Sequence, residues 1–338
     1  MNEMTRFLDA QYRTRSQARA FRAEQYISGE CDFATWRRAL CGALKEAVHL
    51  PDVRADIDVR TQAEEQLRGY TRLRLTYLAE PGLTTPAYLL VPRGADARTP
   101  VIVCLHGHGY GCKDAVGLLT AESYQKRFAL SVSRAGMIAL APELAGFGAL
   151  RLPEEIAAGD ERQSSCHRLS VNLLACGRTL LGVRVNQAMR ALDAARALYP
   201  GCKLGMMGIS GGGTVTALTS VLDERVAACV ISGYANTFES SILAMRHCVD
   251  NYWPDMAGLA EMPDLLAAIA PRPMLWETGS QDRIYPQTAA LKAAQTVRAC
   301  YQRLGAALAF EVDAFEGGHE ISGARAFDFL RTELVERN

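Results

Sequence analysis

Lys203-Leu204-Gly205-Met206-Met207-Gly208-Ile209-Ser210-Gly211-Gly212-Gly213-Thr214-Val215 is the stretch that decides the fold. Its first half is an apolar run short enough for one buried strand, and residues 214–222 read as a helix. Between them stands Gly-x-Ser-x-Gly, at 208–212. A strand, a sharp turn carrying a Ser between glycines, and then a helix is the context that lifts a Ser hydroxyl above a sheet edge. Side chains larger than Gly on either side would collide with the neighbouring strand or helix. The helix begins at the Ser, so its unpaired amides and its dipole favour negative charge there. Ser210 is therefore the candidate nucleophile. The pentapeptide alone also fits a flexible Gly-rich loop, so its partners decide.

A nucleophilic Ser needs a base, and the base needs an orienting carboxylate. On a strand–turn–helix of this kind the chain order is Ser, acid, His. Of the six His, only His247 and His319 lie beyond Ser210. His319 sits in Gly317-Gly318-His319-Glu320, just past the strand-like residues 308–312, where a loop His can reach the same rim as Ser210. His247 falls in a helical segment and reads as structural or as lining a pocket. Residues 273–278 form another apolar strand candidate, which ends in Gly279-Ser280-Gln281-Asp282. Asp282 is thus the candidate acid, although an Asp in such a turn can equally cap the helix that follows.

An oxyanion hole requires two converging amides. One is the N–H of Gly211, directly after the Ser. The other is expected from His106-Gly107-His108-Gly109, which follows the apolar residues 101–105. The His108 amide is the second candidate donor, and His106 is read as holding the loop. His106 and His108, with no Cys, His or carboxylate ligand spaced beside them in sequence, do not make a metal site.

These segments resemble the α/β-hydrolases, and most of all the branch of dienelactone-hydrolase-like and acetyl xylan esterase or cephalosporin deacetylase-like proteins. The residues that carry the likeness are His106-Gly107-His108-Gly109, Ala141-Pro142-Glu143-Leu144-Ala145-Gly146-Phe147-Gly148, Gly208-Ile209-Ser210-Gly211-Gly212, Ile269-Ala270-Pro271-Arg272-Pro273, Gly279-Ser280-Gln281-Asp282 and Gly317-Gly318-His319. Dienelactone hydrolase itself uses a Cys nucleophile and haloalkane dehalogenases an Asp, whereas position 210 is Ser. The resemblance implies Ser-His-Asp hydrolysis of carboxylic esters without a cofactor or metal. Deacetylation of small or sugar-borne esters is the leading expectation. The alternatives are a peptidase or amidase of the prolyl-oligopeptidase type and a non-catalytic binding protein on the same fold. Residues 1–100 are too few for the propeller that the peptidases carry.

Composition agrees. The chain has 338 residues, 49% hydrophobic and 22% charged, enough for a sizeable core. Lys plus Arg and Asp plus Glu number 37 each, so no basic excess draws nucleic acid. No apolar run approaches the roughly 20 residues that span a bilayer. Residues 1–22 are polar and lack the apolar core of a secretory signal, so the chain as given reads as cytoplasmic. None of the ten Cys forms a Cys-x-x-Cys pair, and reduced thiols are expected, with a Cys166–Cys176 disulfide left open.

Along the chain, residues 1–65 are expected to form a helical extension, with Phe33, Trp36 and Leu40 at helical spacing. The extension packs on the body or on a second copy, which leaves a homo-oligomer open. Residues 66–338 are expected to form the α/β-hydrolase domain. Residues 70–77 and 85–91 read as an antiparallel edge pair, and apolar strands then alternate with helices at 101–105, 137–141, 204–209, 226–231, 274–278 and 308–312. That rhythm is a doubly wound, mostly parallel sheet with reactive groups at the carboxyl ends of its strands. Residues 177–199 read as a long amphipathic helix leading into the strand before Ser210. Insertions near 146–176 and 234–268 shape the pocket. Tyr234 and Trp253 in the second are candidates for substrate binding, as is Glu143 at the rim. An unpaired Glu143 would repel anions and favour neutral esters.

Overall fold

The computed structural model describes residues 2–52, 56–119 and 123–336. Its frame is one nine-stranded sheet in the order β1-β2-β3-β5-β4-β6-β7-β8-β9. The strands are β1 (Arg60–Leu67), β2 (Tyr70–Glu80), β3 (Leu83–Pro92), β4 (Val101–Leu105), β5 (Ile138–Pro142), β6 (Leu204–Ile209), β7 (Val226–Ser232), β8 (Met274–Gly279) and β9 (Phe310–Phe315). β1, β2 and β3 pair antiparallel and β3 joins β5 antiparallel; all remaining pairs are parallel. This is the doubly wound sheet with an antiparallel N-terminal edge that the sequence leads one to expect.

Helical structure does not run through residue 65, as the sequence reading had it. Helices occupy Glu3–Gln17, Ala23–Ile27 and Phe33–Ala47, and β1 begins at Arg60. β1 reads Arg-Thr-Gln-Ala-Glu-Glu-Gln-Leu and is exposed along nearly its whole length. No apolar alternation marks it, and pairing with β2 alone makes it a strand. The helix Phe33–Ala47 is capped by Asp32, whose carboxylate accepts the Thr35 N–H at 2.9 Å. Trp36, Leu40 and Leu44, one turn apart, are buried on its inner face. Burial of each Leu contributes about 1.5–3 kcal/mol, which fixes the helix to the body. The segment before it leans on the second insertion: the Ala20 and Phe21 N–H groups donate to Gly258 and Leu259, and Ala23 N–H to Asp264.

Two apolar cores flank the sheet. One unites the long helices with strand residues such as Val103, Met206 and Ile231, and the other packs Phe128, Phe329 and Leu330 against Ile102, Met207 and Val230. The long helix is Leu180–Leu198; it starts later than residue 177 because Thr179 is its cap, accepting the Gly182 N–H at 2.9 Å. No described helix is long and apolar enough to cross a membrane.

Register sets the site. Leu105 of β4 pairs with Gly208 of β6, Ile209 with Ser232 of β7, Ser232 with Glu277 of β8, and Gly279 with Phe315 of β9. The loops after β4, β6, β8 and β9 therefore leave the sheet side by side, at its carboxyl edge.

Candidate active site

Ser210 caps the helix Gly211–Leu222 with φ 57° and ψ −123°, a left-handed backbone for a residue with a side chain. The turn has no slack: a Cβ at Gly212 would overlap the Leu105 carbonyl oxygen and lie 2.5 Å from that of His106. The N–H groups of Gly211, Gly212 and Gly213 belong to the first helical turn and have no intrahelical acceptor.

His319 Nδ1 and Asp282 Oδ2 are 2.8 Å apart. Asp282 Oδ1 also accepts the Ile284 and Tyr285 N–H groups at 2.8 and 2.9 Å, so Asp282 both forms a turn and holds the imidazole. Burial pushes its carboxyl up, but the hydrogen bond and charge of His319, with the two amides, outweigh this and hold it below the usual range. The ring of His319 is sandwiched between Tyr124 and Tyr285, stacked at 5.6 Å on either side. Gly233, at φ +53°, lets the ring approach: a Cβ there would sit 2.9 Å from its Cε1. His319 Nε2 is buried without a hydrogen-bond partner among the described residues, and His319 and Ser210 line the same cavity, of about 340 Å³. No hydrogen bond joins His319 to Ser210 in this state, and such bonds commonly tighten only with substrate bound.

On the β4 side, His106 is fully buried and its Nδ1 lies 2.8 Å from the Gly107 carbonyl oxygen. That carbonyl is turned inward, so the His108 N–H of the same peptide points the opposite way. Tyr124 Oη donates to the His108 carbonyl at 2.7 Å and thereby ties the loop to the His319 stack. The side chain of His108 lines the Ser210 cavity, with Nε2 3.0 Å from Asp250. Burial works against a charged imidazole here, but the Asp250 carboxylate prevails and the pKa of His108 is pushed up to about 9.

Three comparisons bear on this geometry. A model described as the Abhydrolase family matches residues 13–196, more than half of the chain. The chain belongs to the Abhydrolase family. The matched residues include the loop at 106–109 and end before Ser210. This abhydrolase is also similar to YtaP of Bacillus subtilis (strain 168), provisionally named a hydrolase, with 26% identity over 243 residues, covering 69% of this chain and 77% of that protein. A Bacteroides fragilis NCTC 9343 protein provisionally described as an acetyl xylan esterase superimposes with TM-score 0.72 at 19% identity, over 90% of this chain and 83% of the other. A glucuronoyl esterase from Solibacter usitatus gives TM-score 0.65 at 13% identity, over 88% and 92%. At these identities the two structures speak to fold.

The substrate-binding candidates of the abhydrolase fall elsewhere than expected. Glu143 does not line the Ser210 cavity. Its carboxylate accepts the Cys112 N–H at 3.0 Å and lies 3.1 Å from His106 Nε2, so it braces the loop after β4. Burial raises its pKa, and the His106 and Cys112 hydrogen bonds bring it below the usual value. With that carboxylate paired and remote, the argument for neutral esters falls. Tyr234 is buried against Tyr285, and Trp253 against Phe238. Neither lines the Ser210 cavity, which only residues 245–251 of the insertion reach, with Arg246, His247 and Asn251 among them. Tyr124 and Tyr285 were missed by sequence reasoning; only the proximity of Tyr285 to Asp282 offered a signal. A larger cavity, about 1020 Å³, lies at the opposite end of the sheet beside Arg37, Arg225 and Arg272 and contains none of the candidate residues.

Proposed function

We propose that this abhydrolase is a serine hydrolase of carboxylic esters, acting through an acyl-enzyme on Ser210. The observation that carries the reading is the paired His319–Asp282, whose unbonded Nε2 shares one cavity with a Ser held at positive φ on a helix N-terminus. His319 takes the Ser210 proton as the hydroxyl attacks the ester carbonyl. The Gly211 and His108 amides receive the developing oxyanion. His319 then protonates the leaving alcohol, and water repeats the cycle on the acyl group. Loss of one such donor costs about 2.7–4 kcal/mol of barrier. Asp282 keeps the imidazole in the tautomer that leaves Nε2 free to accept. Asp282→Asn is accordingly expected to lower kcat by about 10⁴ with little change in KM; a loss below tenfold would remove Asp282 from the mechanism.

A small ester fits best. The cavity, about 340 Å³, stands near the lower end of the roughly 300–1,000 Å³ typical of ligand sites. The names of the two structural neighbours, acetyl xylan esterase and glucuronoyl esterase, both denote esters with a sugar on one side. Nothing in residues 3–92 favours the peptidase alternative: among the described residues they supply three helices and three strands of the single sheet.

Hydrolysis of p-nitrophenyl acetate, butyrate and octanoate tests the reading, together with fluorophosphonate labelling. Turnover is expected to fall with acyl length, and labelling to map to Ser210. A folded protein that neither cleaves any of the three nor takes the label would return the non-catalytic reading to the front.

A further inference from the structure

Beside the Ser210 cavity, four side chains from three separate segments converge. His108 comes from the loop after β4, Cys166 begins the helix Cys166–Ala175 of the first insertion, and Cys248 and Asp250 belong to the second. One donor atom of each lies within 4.8 Å of every other. We propose that His108, Cys166, Cys248 and Asp250 bind a thiophilic divalent cation, zinc by the donor set, which clamps both insertions to the loop next to Ser210.

Two features carry this. The first is spacing. Around a tetrahedral zinc, with bonds of about 2.3 Å to sulfur and about 2.0–2.2 Å to nitrogen or oxygen, neighbouring donors stand roughly 3.3–3.8 Å apart. His108 Nε2 is 3.0 Å from Asp250 Oδ2 and 4.0 Å from Cys166 Sγ, so small side-chain adjustments close the shell. The second is chemistry. Two sulfurs and an imidazole select zinc over magnesium or calcium, which prefer all-oxygen shells. Behind these donors stands Arg184, 2% exposed, whose guanidinium donates to Asp250 Oδ2 at 2.5 Å, to Cys166 Sγ at 2.9 Å and to the Ala145 carbonyl. Arg184 then serves as the outer hydrogen-bond partner that orients two ligands. A Cys166–Cys248 disulfide would account for the two sulfurs alone, with His108 and Asp250 left as an ion pair. The donors that His108 lacks in its own segment thus come from both insertions, which no local sequence spacing reveals. Cys176, the pairing partner left open by sequence, is exposed, and all ten Cys are unbonded.

The site is read by metal content, whether or not the protein cleaves esters. Full-length protein would be expressed with added zinc, purified without chelators and analysed by plasma mass spectrometry. One zinc per chain is expected in the wild type and none in Cys166→Ser/Cys248→Ser. Cobalt replacement is expected to give thiolate-to-metal charge-transfer absorption that weakens in either single Cys variant. The milder Cys248→Ala keeps the test decisive if the double variant does not fold, because the band should drop in a protein with unchanged circular dichroism. Three results would overturn the proposal: wild-type protein free of zinc and of cobalt bands with all thiols titratable, two thiols missing from the titration as a Cys166–Cys248 disulfide, or zinc retained equally by the Cys variants.

Discussion

Replacing Ser210 by Gly is expected to abolish ester hydrolysis and, at the same time, to make the fold more stable than Ser210→Ala does. Loss of the hydroxyl removes the proposed nucleophile, and in a triad acting as a unit that costs on the order of 10⁶ in kcat. Both substitutions share this loss. They differ in the backbone. At φ 57° and ψ −123° any Cβ is strained, at a cost of order 1–3 kcal/mol, and Ala keeps the Cβ while Gly does not. Gly loses part of that gain again through the greater entropy of its unfolded chain, of roughly 0.5–1 kcal/mol. The net expectation is that the Gly variant unfolds at higher denaturant than the Ala variant, by about 1 kcal/mol. Initial rates on a short p-nitrophenyl ester and urea unfolding of the three proteins check both halves. Undiminished turnover in either variant would place the nucleophile elsewhere. Equal stability of the two variants would mean that the turn carries no strain for the Ser to hold.

What was legible beforehand follows from where each segment lies. β4 and β6 are buried on both faces, so their residues read as unbroken apolar runs, and their bounds match the expected 101–105 and 204–209. Ser210, Asp282 and His319 could be singled out as candidates because each follows such a strand across a Gly-containing turn. The edges are another matter. β1 is polar throughout and owes its form to β2, a long-range pairing that local pattern does not encode. At the other edge, β9 begins at Phe310 and not at residue 308, because Leu308 projects from a short 3-10 turn and is 82% exposed.

The misread candidates have a common cause. An aromatic in an insertion satisfies the pattern of a pocket wall and of a core equally well. Trp253 meets Phe238 edge-on at 5.4 Å within the insertion, whereas Tyr234 meets Tyr285 at 5.8 Å, beside the ring that stacks on His319. Glu143 was misjudged for a related reason: its partners, Cys112 and His106, are brought to it by the crossing from β4 to β5. His247, read as structural or pocket-lining, does line the cavity.

The second large effect is expected from a single methyl group. Gly212→Ala would place a Cβ into the Leu105 carbonyl oxygen and 2.5 Å from the His106 carbonyl oxygen. Both obstacles are backbone at the end of a central strand, so no rotamer change relieves the clash. Either the helix Gly211–Leu222 withdraws from β4 or the loop at 106–108 is displaced. Overpacking of this kind costs about 3 kcal/mol or more, and either movement separates the Gly211 and His108 amides. Stability and kcat should therefore fall together in this variant, whereas Ser210→Gly separates them. Gly42→Ala is the matching control. Gly42 lies inside the helix Phe33–Ala47 with nothing within 4 Å of its added Cβ. There the same methyl group is expected to stabilise by about 0.5–1 kcal/mol through helix propensity alone, with activity unchanged. Urea unfolding and ester turnover of both variants, measured side by side, distinguish a steric requirement at the elbow from a general effect of Gly removal. A Gly212→Ala protein as stable and as active as the wild type would mean that helix and strand do not meet as closely as this packing requires, and the placement of Ser210 above the sheet would fall with it.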